Sequence, residues 1–413
     1  MGVNELLFLA FVFLVILIAL FVLVDGRALE FKDLASDDPG EVPDPSIAPS
    51  RKDKTSTPEP KQSVEENLAT GFLTPLPTPT LIPSPTATVV QVKDPWDYGE
   101  FQAGVSVLVY GNSSDFVQQT QVVLDRLVSL NVTCVSLVFP IFQENWRSVE
   151  VFKGDQTLSD RNIELFVYEA HKRGLAVMLR PLMDEASFES DNEWRGSISP
   201  IDKEAWFRSY GSLIQSYAKL AEHANVELFC IGAEFTSLEG ETKRWERIIG
   251  QVRNVYTGKL TYSSNWGIPA TEISSSVQFW DSLDFVGVDA FFPLEKAHYN
   301  ADLDQMLFAW EPYAMQLKDL QERLGKPIVL TELGTTSQLG SHKKPWLWDK
   351  EGELNLANQE TYYKASCESL RGIVRGIYWW HVTLYPPSDP LQDDSFVFLG
   401  KPAEDVVREC YDK

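Results

Sequence analysis

The chain has 413 residues, of which 44% are hydrophobic, and this is ample for at least one large buried core. Its formal net charge of -23 argues against nucleic acid as a partner, because proteins bind a phosphate backbone largely through Lys and Arg. The four cysteines, at positions 134, 230, 367 and 410, are too few and too scattered for a disulfide scaffold or a zinc cluster. We expect buried thiols, although a bridge between Cys367 and Cys410 stays open.

The N-terminal segment carries an uncharged apolar run, "LLFLAFVFLVILIALFVLV", over residues 6–24. This run is long enough to cross a bilayer as a helix. A cleaved signal peptide usually ends at a small-residue site, and "VDGRALE" offers a poor one, so residues 1–24 are predicted to be an uncleaved membrane anchor, with a signal segment as the alternative. Arg27 and Lys32 favour a cytoplasmic C-terminal side, but long domains translocate largely regardless of such charges, and we expect the folded domain outside.

Residues 25–97 have the composition of a linker. They are rich in Pro, Thr, Ser, Asp and Glu and end in "TPLPTPTLIPSPTATVV". Such a composition cannot bury enough apolar surface to fold, and its prolines favour an extended chain. The sequence therefore predicts a disordered tether between the anchor and a folded domain over residues 98–413.

From Phe101 onward, apolar runs alternate with amphipathic helical stretches such as "FVQQTQVVLDRLVSL" and "IELFVYEAHKRG". Eight apolar runs occur, over residues 101–110, 131–140, 175–184, 226–235, 259–267, 283–293, 327–336 and 374–383. Eight βα units in about 310 residues predict an α/β fold of the (β/α)8 TIM-barrel type. A doubly wound open sheet is the alternative, but it normally carries a Gly-rich phosphate loop after an early strand, and this sequence has none.

Polar and aromatic side chains follow or end several of these runs. They are Arg180 and Asp184 on the third run, Glu234 on the fourth, Asn265 and Trp266 on the fifth, Asp289 on the sixth, Glu332 on the seventh, and Trp379 and Trp380 on the eighth. A single acid at a strand end often caps a helix or pairs with a cation. In a TIM barrel, however, these ends surround one catalytic mouth, and two glutamates there favour chemistry.

Two carboxylates beside several tryptophans fit glycoside hydrolysis. One acid protonates the leaving oxygen, while the second carboxylate attacks or stabilises the anomeric carbon. Indole faces suit the C–H faces of sugars, and the chain has 12 tryptophans, including Trp194 and Trp280 in predicted loops. Ordinary packing remains the alternative for about half of them.

The stretch "EWRGSISPIDKEAWFRSYGSLIQSYAKLAEHANVELFCIGAEF", together with "VQFWDSLDFVGVDAFFPL" and "KPIVLTELGTT", resembles the clan A glycoside hydrolases, and within them the family 113 β-mannanases. The resemblance covers nearly all of residues 101–413. It implies a retaining, endo-type enzyme that acts on a β-linked polysaccharide, with β-1,4-mannan as the expected substrate. Glu234 of "IGAEF" would be the acid/base, and Glu332 of "LTELG" would be the nucleophile.

Retention implies that the two carboxyl groups lie about 5 Å apart, with Glu234 protonated and Glu332 ionised at the start of the reaction. Arg180 is the candidate cation beside Glu332. By the resemblance, Trp380 would form a floor, and Trp194, Arg195 and Trp280 would shape the cleft walls. The substrate-binding candidates are Arg180, Asp184, Trp194, Asn265, Trp266, Trp280, Asp289, Trp379 and Trp380.

The chain departs from the clan's pattern at three positions. Ala233 precedes the acid/base where many members have Asn, Phe291 stands where a tyrosine is expected, and Leu182 stands where a histidine is common. These changes bear on substrate preference more than on the reaction.

Three rival functions stay open at this point. They are hydrolysis of another β-glycan (glucan, xylan or galactan), a catalytically inactive membrane-tethered barrel that binds sugar, and a metal-dependent hydrolase. The last needs clustered ligands, and the five histidines show no H-E-x-x-H spacing. We therefore expect no metal and no cofactor, and we expect a monomer.

Overall fold

The structure is a computed structural model, and it describes residues 100–184, 193–267, 276–347 and 352–412. The predicted anchor (1–24) and linker (25–97) lie outside the described residues. Within those ranges, none of the helices combines the length and the apolar character that a membrane crossing needs.

In the part of the chain that the structure describes, nine strands form one sheet that closes on itself. The strands are β1 (Gln102–Leu108), β2 (Cys134–Gln143), β3 (Val151–Phe152), β4 (Ala176–Met183), β5 (Leu228–Ala233), β6 (Lys259–Asn265), β7 (Val286–Asp289), β8 (Ile328–Leu333) and β9 (Gly376–Thr383). β1 pairs in parallel with both β2 and β9, which closes a barrel of eight parallel strands. The short β3 pairs antiparallel with β2 outside the barrel. The predicted TIM barrel is confirmed.

All eight predicted strands are present. They could be predicted because strands of a parallel barrel are covered on both faces and so appear in the sequence as continuous apolar runs. Every residue of β1, β4, β5 and β8 is buried. β3 was not predicted, since two residues carry no periodic signal. In a parallel barrel all carboxyl ends meet at one mouth, so polar residues late in these strands come together there.

Helices cover the outside of the barrel. Their bounds are α1 (Phe116–Val128), α2 (Asp160–His171), α3 (Lys203–His223), α4 (Thr242–Arg253), α5 (Leu303–Leu324), α6 (Leu356–Leu370) and α7 (Pro402–Tyr411). Side chains cap the N-termini of several helices. Asp202 accepts from the Ala205 N–H over 3.0 Å at the start of α3, and Asp302 accepts from the Gln305 N–H over 3.0 Å at the start of α5.

The barrel interior is filled by apolar side chains below the mouth. They are Cys134, Ala176, Met178, Leu228, Cys230, Phe285, Val329 and Tyr378. A Cβ at Gly104 would lie 2.5 Å from Cδ1 of Tyr378, so glycine at that position makes room for the ring. Arg180 follows Met178 by two residues on β4, and the strand period of two places both side chains on the inner face.

The cysteines divide into two groups. Cys134 and Cys230 are buried free thiols, as predicted. Cys367 and Cys410 form a disulfide between α6 and α7, so the expectation of thiols is wrong for this pair. Next to the bridge, the Tyr411 hydroxyl lies 2.8 Å from the carbonyl oxygens of both Gly104 and Ile377, and so ties α7 across the β1–β9 seam.

Candidate active site

Three neighbouring strands bring polar side chains to one level of the mouth. Asn265, the last residue of β6, pairs with Asp289, the last residue of β7, and Asp289 pairs with Glu332 on β8. The β7–β8 register shifts between Val288 and Asp289. The predicted residues from the fifth, sixth and seventh runs therefore lie side by side.

Glu332 belongs to a buried group of charges. Its side chain is 2% exposed and forms an ion pair with Nη1 of Arg180 from β4. The same guanidinium reaches Asp289 with Nη2, 2.7 Å from Oδ2, and the Thr331 hydroxyl donates to Oδ1 of Asp289 over 2.8 Å. The predicted contact between Arg180 and Glu332 is present, and Asp289 shares the cation.

The guanidinium groups oppose the effect of burial on the carboxyl groups of this site. Burial raises the pKa of Glu332 well above its usual range; the guanidinium of Arg180 acts to lower it, and the charges of Asp289 and Glu234 raise it further. Burial also raises the pKa of Asp289, against the effect of Arg180. Burial disfavours the charge on Arg180, but the two carboxylates raise its pKa, so Arg180 stays protonated. Arg180 thus favours an ionised Glu332, and the charge of Arg195 acts in the same direction.

Glu234 follows β5 in a backbone conformation that is uncommon outside glycine, with φ at 55°. Its N–H donates to the Ser263 carbonyl over 2.8 Å, and the next N–H, of Phe235, donates to the Tyr262 hydroxyl over 2.9 Å. The Tyr262 hydroxyl in turn lies 3.0 Å from Oε1 of buried Glu239. Such conformations cost free energy and persist where the surrounding structure holds them, often at functional sites.

The Glu234 side chain is 2% exposed, and its carboxyl group accepts hydrogen bonds at both oxygens. Nδ2 of Asn265 donates to Oε1 over 2.8 Å. Nη1 of Arg195 donates to Oε2 over 2.8 Å, and Nε of Arg195 donates to the Met183 carbonyl over 2.9 Å. The structure thereby brings the predicted Asn265 to Glu234, and it gives Arg195 a direct contact that the sequence did not indicate.

Three tryptophans are placed by the barrel strands: Trp380 lies in β9, Trp266 directly follows β6, and Trp346 packs on Trp266. The Arg180 guanidinium lies 5.9 Å from the ring centroid of Trp380. Trp266 stacks on Trp346, with centroids 5.4 Å apart and planes 26° apart. The indole N–H groups of these three tryptophans are buried without a hydrogen-bond partner among the described residues. A bound hydroxyl group is one acceptor that would satisfy them.

Two predicted tryptophans pack elsewhere. Trp379 stacks on Tyr363 of α6 at 4.3 Å, which places its indole between the barrel and the helices. Trp280 packs against Tyr262 and Phe279 in an aromatic cluster behind β6. The structure does not bring either of them to the carboxyl groups through a described contact.

The remaining candidates lie near the mouth. Asp184 follows β4 and accepts from the Tyr110 hydroxyl over 2.7 Å. Trp194 is half-buried and directly precedes Arg195, and its N–H donates to the Ser197 hydroxyl over 3.1 Å. Their substrate contacts stay predictions.

The three residues that depart from the clan's pattern are buried in the structure. Leu182 and Ala233 are buried, and Phe291 packs edge-on against Phe396 with centroids 6.1 Å apart. His381, beside Trp380, is kept neutral because burial lowers its pKa to about 3.

Comparisons with known proteins identify the family. The model of Glycoside Hydrolase Family 113 matches residues 110–401. The GH113 β-mannanase from Alicyclobacillus acidocaldarius, solved in complex with ManMIm, is 27% identical; the match covers 76% of this chain and 97% of that chain, with a TM-score of 0.67. A GH113 β-1,4-mannanase solved as a complex is 25% identical over 76% of this chain and 99% of that chain, also with a TM-score of 0.67.

A more distant likeness concerns the fold alone. A family 5 mannosidase from Rhizomucor miehei is 9% identical, with coverage of 76% of this chain and 93% of that chain and a TM-score of 0.52. No curated protein matches the chain. Since the family model spans most of the barrel, the chain belongs to glycoside hydrolase family 113 and is a glycoside hydrolase.

Proposed function

We propose that this chain is a retaining, endo-type β-1,4-mannanase in which Glu332 is the nucleophile and Glu234 the acid/base. One observation supports the choice of these two glutamates, whose separate roles follow from the family resemblance. Both glutamates are buried at the carboxyl ends of one barrel, each with a guanidinium partner, and the charge of Glu234 acts on Glu332. Buried carboxyl groups that influence one another are what a two-carboxylate mechanism needs.

In the first step, an oxygen of ionised Glu332 attacks the anomeric carbon. The bond from that carbon to the leaving sugar oxygen breaks, and this oxygen takes the proton of Glu234. The products are a glycosyl ester on Glu332 and an ionised Glu234. Arg180 favours the starting state because it stabilises the charge of Glu332.

In the second step, water attacks the anomeric carbon and gives its proton to Glu234. The ester bond breaks, and Glu332 regains its negative charge beside Arg180. Both protonation states are restored, so the cycle consumes one water for each bond cut. Asn265 holds Glu234 in place through the hydrogen bond to Oε1.

The substrate assignment rests on the relatives and on the aromatic side chains. The two most similar GH113 structures described above are a β-mannanase and a β-1,4-mannanase. Trp266, Trp346 and Trp380 offer buried indole N–H groups, Trp380 beside Arg180 and Trp266 directly after Asn265, which suits a ligand with many hydroxyls. Hydrolysis of another β-glycan, and sugar binding without hydrolysis, are the alternatives that the test below separates.

The test is sugar release from mannan, glucan and xylan by the wild-type protein, Glu332→Gln and Glu234→Gln. We expect release from mannan by the wild type and a loss of at least about a thousandfold in both variants. Glu169→Gln is the matched control, since Glu169 is also buried and paired with an arginine, Arg173, but lies in α2. Full activity of Glu332→Gln would contradict the mechanism, and tight binding of mannan without release would indicate a receptor.

We also propose that residues 1–24 anchor the protein in the cell membrane with the barrel outside. The disulfide between Cys367 and Cys410 supports this location, because disulfides persist in oxidising compartments. Protease added to intact cells should digest the barrel of the membrane-bound full chain. The location would be contradicted by a full chain that stays protected, or by one that remains in the supernatant with the cytosolic proteins when the membranes are sedimented.

A further inference from the structure

Arg195 contacts the carboxyl group that the proposed mechanism uses twice. Its guanidinium is 1% exposed, and Nη1 lies 2.8 Å from Oε2 of Glu234. The hydrogen bond from Nε to the Met183 carbonyl fixes this guanidinium at the end of β4. A buried guanidinium at this distance stabilises the ionised carboxylate over the neutral acid.

The other charges around Glu234 come from several strands. The charges of Glu234 and Glu332 act on one another, and Glu332 on β8 is linked in turn to Arg180 on β4 and Asp289 on β7. The neutral thiol of Cys230 on β5 interacts with Arg180 and Asp289. Asn265 on β6 adds an uncharged donor. In this group of described residues, the three carboxyl groups of Glu234, Asp289 and Glu332 thus meet the two guanidinium groups of Arg180 and Arg195, and a single proton on one carboxyl group brings the charge of these five side chains to zero. Without Arg195, three carboxyl groups would face one cation, and a second proton would be favoured.

We propose that Arg195 is a positioning residue that favours the ionised form of Glu234 and so prepares it to act as the base in the second step. This inference rests on the proposed function. Once Glu332 is an ester, its charge is gone, and Arg195 keeps Glu234 ionised although its carboxyl group is buried. Asn265 orients the same carboxyl group without changing the charge.

The sign of the expected pH effect follows from this arrangement. Loss of the Arg195 charge raises the pKa of Glu234, so the acid keeps its proton to higher pH and the base becomes ionised only at higher pH. The alkaline limb of kcat/KM and the acid limb of the second step should therefore both move upward. At a pH below the pKa, a rise of one unit in the pKa lowers the ionised fraction of the carboxyl group about tenfold.

The first experiment compares Arg195→Gln with Arg195→Lys in the full chain. We expect both limbs to move upward by at least about one pH unit in Arg195→Gln, and to stay close to wild type in Arg195→Lys, which keeps the charge. A profile of Arg195→Gln that matches wild type overturns the inference. An equal shift in both variants overturns it too, because the charge would not be the cause.

The second experiment separates the two chemical steps. An aryl β-mannoside with a very good leaving group needs no acid, so the second step limits turnover. We expect Arg195→Gln to release a burst of the aryl group and then turn over about tenfold more slowly than wild type at a pH one unit below the raised pKa. Azide needs no base and should restore turnover. A uniform loss in both steps without azide rescue would indicate a merely structural role and would overturn the inference.

A measurement on the wild-type protein covers the case in which Arg195→Gln does not fold. A slow fluorinated mannosyl donor traps the glycosyl ester, and its hydrolysis is followed as a function of pH. We expect an acid limb near or below about 4.3, the ordinary glutamate value, and a limb above about 6 would overturn the inference. A wild-type protein that forms no ester contradicts the proposed function itself, whereas an active wild type with unshifted variants contradicts only the role of Arg195.

Discussion

Arg180 and Asp289 form a fully buried ion pair inside the barrel, with 2.7 Å between Nη2 and Oδ2. The same guanidinium also contacts Glu332. A buried carboxylate that loses its counter-charge is strongly destabilising. We expect Arg180→Met to lower the free energy of unfolding by about 3–5 kcal/mol and to abolish sugar release, as measured by urea denaturation and product analysis. Arg180→Lys should fall in between, because an ammonium group cannot contact both carboxylates through a planar fork.

The matched control is Arg247→Met, which removes an exposed pair with Glu204. Such pairs contribute about 0–1 kcal/mol, so this variant should stay within that range. An Arg180→Met protein as stable as Arg247→Met would contradict the importance of the buried pair.

Asp289 influences Glu332 through its charge. The charge of Asp289 raises the pKa of Glu332, so Asp289→Asn should lower that pKa. A nucleophile with a lower pKa is ionised at lower pH, and the acid limb of kcat/KM should move downward. The pH dependence of mannan hydrolysis measures this shift. Thr331→Val is the control, since it removes only the neutral hydrogen bond to Asp289, and an acid limb that moves upward in Asp289→Asn would contradict the assignment.

We predict that the stacked indoles of Trp266 and Trp346 contact the substrate. If Trp346 contacts substrate away from the bond that is cut, Trp346→Ala should raise KM about tenfold and change kcat little, as expected from the loss of about 1.4 kcal/mol of binding. Trp280→Phe is the comparison, because Trp280 packs in the cluster behind β6 and should affect stability but not KM. Steady-state kinetics on mannan decides, and an unchanged KM in Trp346→Ala would exclude this contact.

The disulfide should stabilise the barrel without taking part in the reaction. Cys367 and Cys410 are separated by 43 residues, and closing such a loop contributes about 2–4 kcal/mol. Reduction should lower the melting temperature and leave sugar release unchanged well below it. The double variant Cys367→Ser with Cys410→Ser should melt like the reduced protein and no longer respond to reductant. A melting temperature that reductant does not alter in the wild type would contradict the bridge.

The strands could be predicted because their burial on both faces is visible as continuous apolar runs, for example "PIVLTEL" before and in β8. The polar residues at the ends of those runs were likewise visible, and Asn265, Asp289 and Glu332 do lie side by side. The pairing of Cys367 with Cys410 depends on how α6 packs on α7, and neither helix's own pattern contains that information.

Two details of the site depend on tertiary structure. Trp379 and Trp380 are adjacent on β9, where successive side chains point to opposite faces, so both cannot line the barrel interior. The sequence did not say which one does; the stacking of Trp379 on Tyr363 and the contact of Trp380 with Arg180 answer this. Arg195 lies in a loop whose position no periodicity predicts, and its contact with Glu234 appears only in the folded chain.

The position of β1 in the barrel also determines on which face the preceding part of the chain is attached. Gln102 begins β1 at the amino ends of the strands, where its N–H donates to the carbonyl of Arg375 just before β9, whereas Glu234 and Glu332 lie at the carboxyl ends. The preceding chain is therefore joined to the face opposite the catalytic mouth. If residues 1–24 anchor the protein as proposed, a bulky polysaccharide can reach the cleft without meeting the point of attachment.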